Sequence, residues 1–196
     1  MRRARIACAA LLLSAAPSSA SEALATSLYT DLAEERCQTL EIQEDEGASS
    51  RQRCPGVAGY HLLVLDDDNR MSITVEDPAG KEHPLDLWTL VSSAFSSLGP
   101  RAEWRMTRRS GAEVPTALIV RFNATDPETS AVISSLAVSK ISEDGICLVE
   151  VIPPIREANQ KAREAADAAG EKPCLREPGT DRASPEQLPR GCSLKS

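Results

Sequence analysis

The chain is poor in the residues most catalysis depends on. It has two histidines, His61 and His83, and six aromatic side chains: Tyr29, Tyr60, Trp88, Phe95, Trp104 and Phe122. So few and so scattered, the aromatics give no stacking platform for sugars or bases and are read mostly as core. No two cysteines stand at C-x₂-C spacing, which argues against a zinc site, because zinc ligands normally come in close pairs. There is no G-x-S-x-G elbow and no glycine-rich phosphate loop, so no nucleophile or cofactor motif presents itself. No stretch beyond the amino terminus is long and apolar enough to cross a membrane. The formal charge is −7, so phosphate backbones and anionic membranes repel the chain as a whole. No cofactor, no metal and no nucleic-acid partner is expected.

What is there begins with a leader. Arg2, Arg3 and Arg5 precede an apolar run from Ile6 to Ala16, then the small-residue segments Ser18–Ala20 and Ala23–Ala25. A positive start, a short apolar centre and a small-residue exit predict a secretory signal peptide over residues 1–25. Cys8 opens the apolar run rather than following it, which speaks against a lipid anchor. Removing residues 1–20 takes away three arginines and no acid, and moves the charge to −10. The expectation is a protein outside the cytoplasm with one β-rich domain over residues 26–174 and a disordered, proline-dotted tail over 175–196.

Export changes the reading of the cysteines. In an oxidising compartment they are expected to pair, so the segment RCPGVAGYHL (53–62), which holds Cys54 and His61, reads as a staple rather than a reactive site. Four cysteines allow three pairings; locality favours Cys37–Cys54 and Cys147–Cys174 and leaves Cys192 free, bridged to a partner, or competing for Cys174.

Periodicity predicts six or seven strands. Loose alternation marks residues 36–44; residues 60–65 and 70–76 make a hairpin across the acidic loop DDDN. Residues 77–84 read as loop, and 85–99 as a short helix or irregular cover ended by Gly99-Pro100. Strands follow at 102–108, 115–123, 131–141 and 145–152, with Arg108 and Arg109 belonging to a turn. Residues 153–170 predict a helix: two prolines open it, Gly170 closes it, Glu157 faces Lys161, and Ala158, Ala162, Ala165 and Ala169 form one small apolar stripe. The fold class is α+β: a mostly antiparallel sheet or sandwich covered by one C-terminal helix and stapled by disulfides.

Few residues offer chemistry. Asp66, Asp67 and Asp68 lack the alternation and glycine of a calcium loop and read as a solvated turn. His61 and His83 sit in no motif. Glu103 and Arg105 share one face of a strand, with Arg121 opposite, and form a candidate recognition surface; a solvated face with weak ion pairs is the ordinary outcome for such residues.

The segments SLYTDL (27–32), RCPGVAGY (53–60), EWR (103–105), ALIVRF (117–122) and the run of Asn159, Arg163 and Asp167 to Cys174 occur in an order that resembles an uncharacterised family of small secreted proteobacterial proteins. The resemblance spans roughly residues 27–174 and implies a bacterial periplasmic or secreted location and two disulfides, but no activity. The tail with Cys192 departs from it. The functional expectation is a non-catalytic module that binds an envelope protein or component. The alternatives are an inhibitor of a basic secreted hydrolase such as lysozyme, steered by negative charge, and a hydrolase using His61.

Overall fold

The computed structural model describes residues 25–44 and 47–176. Most of the expected leader, most of the tail and Cys192 lie outside these residues. The elements run β1 (Thr26–Asp31), β2 (Gln38–Gln43), β3 (Ser49–Cys54), β4 (His61–Asp67), β5 (Arg70–Glu76), β6 (Glu82–Pro84), α1 (Leu87–Leu90), β7 (Ser96–Arg109), β8 (Ala112–Thr125), β9 (Val132–Ser142), β10 (Gly145–Ile152) and α2 (Ala158–Asp167). The fold is α+β, as the strand runs and the alanine stripe predict.

The ten strands of the described residues join one sheet in the order β10-β9-β8-β7-β5-β4-β3-β2, with β1 on β7 and β6 on β5. Every pairing is antiparallel except a single parallel bridge, Arg70 to Ser96, between β5 and β7. That bridge is the hinge of the architecture. The β2–β5 half and the β7–β10 half close over one core, where Leu62, Val64, Ile73 and Val75 meet Trp104, Leu118, Val120, Phe122 and Leu148. Alternation then puts Ala117, Ile119, Leu136, Val138 and Ile152 on the outer face of the second half, under α2. Both faces of β8–β10 are therefore apolar, and three layers result.

The helix packs through Ala162, Ala165, Ala166 and Ala169, with Ala158 partly covered. Small side chains bring its backbone close to the sheet. It is shorter than expected: Pro153 and Pro154 lie in the bend before it, and Gly170 lies in a following 3₁₀ turn, Ala169–Glu171. Lys161 pairs with Glu164 at 3.6 Å rather than with Glu157.

Four other expectations need correction. β1 and β6 were not legible as strands, because one lies in the segment next to the leader and the other has only three residues. β7 starts at Ser96 and passes through Gly99-Pro100. Proline is tolerated there because the register shifts between Leu98 and Ala102, and the Pro100 carbonyl accepts the Leu32 N–H at 2.9 Å. Arg108 and Arg109 end β7 rather than sit in the turn, which is formed by Ser110 and Gly111. The β4–β5 loop is not long: Asp68 and Asn69, with φ of 51° and 59°, make a two-residue turn that matches the twist of the strands.

Both disulfides expected from locality form, Cys37–Cys54 and Cys147–Cys174. The first ties the start of β2 to the end of β3, and the second ties the chain beyond α2 to β10. Order continues just past Cys174, where the Leu175 N–H donates to the Leu148 carbonyl at 2.8 Å. Among the described residues no helix is long and apolar enough to cross a membrane.

Candidate binding cleft

Alternation along β7 sends Ala102, Trp104 and Met106 inward and Glu103 and Arg105 outward, toward α2. β1 pairs Ser27 with Arg105 and Tyr29 with Glu103, so these two side chains join the same face. On the far side, β8 pairs Ile119 with Glu103, which sets Arg121 on that face too. α2 lies across all of them. Its polar residues Asn159, Arg163 and Asp167 recur every four positions, one above another along the helix. Each meets a polar partner below: Asn159 meets Arg121, Arg163 meets Glu103, and Asp167 meets Arg105.

The Arg105 guanidinium is forked onto Asp167, donating from Nε at 2.7 Å and from Nη2 at 2.9 Å. It also donates to Ser27 Oγ at 2.6 Å and to the Ala25 carbonyl at 3.1 Å. Ser27 Oγ–H donates in turn to Glu103, which also accepts from Arg163 Nε at 2.7 Å. Arg163 Nη2 reaches the Tyr29 hydroxyl at 3.1 Å. Burial pushes the Glu103 carboxyl upward, but the bonds from Arg163 and Ser27 outweigh it and hold the group below its ordinary value. The Glu103 and Tyr29 oxygens in turn hold the Arg163 proton more tightly than usual.

The solvated face expected for Glu103 and Arg105 is absent. Arg105 is 7% exposed because α2 covers it. The three sequence candidates do lie on one surface, but divide in role. Arg105 anchors the helix, while Glu103 and Arg121 line an open cleft of about 280 Å³ beside it. Tyr29, Arg101, Asn159 and Arg163 complete its polar wall, with Ile119 and Leu136 below. Gly99 makes the geometry possible, since a Cβ there would stand 2.7 Å from the Cβ of Arg121. Sequence reasoning missed Tyr29, read as core; it is half exposed. It also gave no role to Asn159, Arg163 and Asp167, although their four-residue spacing beside the alanine stripe was a signal for a helix face bonded to something polar.

The remaining candidates fall elsewhere. His61 Nδ1 faces Arg53 at 2.9 Å; the acid opposite it in the sheet, Glu76, is forked by Arg53, so that carboxylate is engaged by a guanidinium and not by the imidazole. His83 Nε2 lies 3.0 Å from Asp77 at a second opening of about 350 Å³, but Ser142 on its rim donates to the Gly145 carbonyl. Among the described residues no hydroxyl or thiol is hydrogen-bonded to either histidine. Among them, too, no group of three or more histidine, cysteine, aspartate or glutamate side chains is placed to hold a metal ion. Asp66 leaves the water at the end of β4 and its carboxyl is raised by that burial, with the Asn69 and Arg70 N–H groups opposing.

No family model, curated protein or solved structure matches the chain.

Proposed function

We propose that the protein is a periplasmic or secreted, non-catalytic binding module, and that it holds its ligand or partner in the cleft between α2 and the β7–β8 strands. One observation carries this reading: the polar wall of the cleft is locked before anything binds. Glu103 and Arg163 hold each other at 2.7 Å, and Arg105 and Asp167 fix the helix behind them. A wall already ordered loses little entropy when a ligand arrives. The one carboxylate lining it, Glu103, is taken up by Arg163 and by Ser27, and Ser27 itself is not among the lining residues, so the arrangement suits retention rather than turnover. The reading as a hydrolase rests on His61, which faces Arg53, and the reading as a lysozyme inhibitor rests on net charge alone. Neither has geometry behind it.

The test uses the mature chain, residues 26–196, as bait in periplasmic extract under non-reducing conditions. Asn159 is exposed at the mouth of the cleft, so Asn159→Trp closes the opening without entering the core. A molecule retained by the wild type and lost by this variant is expected. Identical retention by both, or none by either, overturns the reading. Disulfide content and circular dichroism confirm that the variant folds.

A further inference from the structure

We infer that the cleft receives a carboxylate carried next to an apolar group, with Arg121 as its anchor; this rests on the binding role proposed above. Arg121 is half-buried, and its two protein acceptors are neutral: Ser134 Oγ at 2.9 Å and Asn159 Oδ1 at 3.1 Å. No carboxylate among the described residues lies within 4.0 Å of it. The other buried or half-buried arginines, Arg51, Arg53, Arg70, Arg105 and Arg163, each have one. In a protein of net negative charge, the one sheltered arginine among the described residues that has no counter-ion among them stands in the cleft.

A guanidinium carries five N–H donors in a fixed fork. The two protein bonds orient Arg121 and leave donors for a ligand. The nearest acid in the wall, Glu103, is already engaged by Arg163. Arg101 adds a second positive charge at the rim, 3.8 Å from Asp31. The shape of the remaining wall narrows the anion. Pro100, exposed at the rim, offers apolar surface beside the charge, with the edges of the buried Ile119 and Leu136 at the floor, which suits an aliphatic or aromatic group attached to the carboxylate. Phosphate is a poorer fit: it brings more charge toward Glu103 and has no apolar part for that wall. A cleft of about 280 Å³ admits a small acid or the last residue of a peptide, both of which present this same chemistry.

The test is an NMR titration of the ¹⁵N-labelled mature chain with N-acetyl-leucine, with its amide, with a tripeptide ending in leucine as free acid, and with inorganic phosphate. The free acids are expected to shift the Asn159 and Arg121 resonances saturably. The amide is expected to bind at least tenfold more weakly. Arg121→Gln should weaken the acid at least tenfold, Arg121→Lys should recover part of that loss, and Arg108→Gln, at the exposed hairpin tip, should change nothing. The ratio of tripeptide to N-acetyl-leucine affinity separates a chain end from a free acid. Equal binding of acid and amide, no binding of the acids, tighter binding of phosphate, or no effect of Arg121→Gln each overturns the inference. The amide comparison needs no variant, so a folding defect cannot obscure it. If these results fail while Asn159→Trp still abolishes retention from extract, the ligand class is wrong and the binding role survives; if that variant also does nothing, both fall.

Discussion

Arg105 is the residue on which the outer layer depends. Its guanidinium is buried and takes four bonds, two of them to Asp167, whose side chain is 44% exposed. Breaking a fully buried ion pair costs about 3–5 kcal/mol; partial exposure of the acid lowers the expectation for Asp167→Asn to about 2 kcal/mol, measured by urea unfolding. Arg105→Lys keeps the charge but not the fork and should lose most of the same amount. Glu103 predicts a pH dependence. Its folded carboxyl sits below its unfolded value, so its contribution is present above the ordinary glutamate range of about 4.3 and is lost as pH falls through the folded value. Glu103→Gln should therefore lower Tm at pH 7 and flatten the acid limb of Tm against pH. Asp66 has the opposite sign. Its folded value is raised, so its ionised form weakens the fold above that value and not below the unfolded range. Asp66→Asn should raise Tm at pH 7, and the gain should vanish in acid.

At the scale of elements, α2 and β7 set the cleft. The helix sits close because Ala162, Ala166 and Ala169 have no bulk to hold it away; each is at most 2% exposed. Overpacking a filled core typically costs about 1–3 kcal/mol. Ala166→Leu should fall in that range and should also lift Arg163 from Glu103, which NMR of the arginine side chains would register. β7 is a strand with a break in its ladder at Gly99-Pro100, and the break gives Arg121 its room. Gly99→Ala should destabilise the protein by a similar amount through contact with Arg121. The double variant Gly99→Ala/Arg121→Gly should recover part of that loss, because Arg121→Gly removes the Cβ that makes the contact, whereas Arg121→Ala would keep it. An additive result would show that the clash is absorbed elsewhere.

At the scale of the whole molecule, two crosslinks guard the two ends of a curled sheet. Loops of 17 and 27 residues are closed by Cys37–Cys54 and Cys147–Cys174. Each should contribute about 3 kcal/mol by restricting the unfolded chain. Their local effects differ. Replacing Cys147 and Cys174 by alanine should release the chain beyond α2 and speed hydrogen exchange in the helix. Replacing Cys37 and Cys54 should leave α2 protected and loosen β2, whose six side chains are all exposed. The molecule carries −7 overall, yet the cleft wall holds three arginines and one acid. Charge counted over a chain therefore says little about charge at a site.

The sequence by itself determined the strand-rich class and the alanine face of α2, and it favoured, without fixing, the pairing of neighbouring cysteines. These follow from the order of residues over short spans: alternation, four-residue spacing, and the short loop between two thiols. It also placed Glu103 and Arg105 on one face, because that too is a matter of alternation. What lay above that face was decided only by the tertiary structure. Asp167 is 62 positions from Arg105, and Arg163 is 60 from Glu103. No local pattern reports whether a strand's polar face meets water or a helix. That choice came from Ile119, Leu136 and Val138, which needed cover on the same face and drew α2 across it. The cleft is the part of that face which the ten residues of α2 do not reach over.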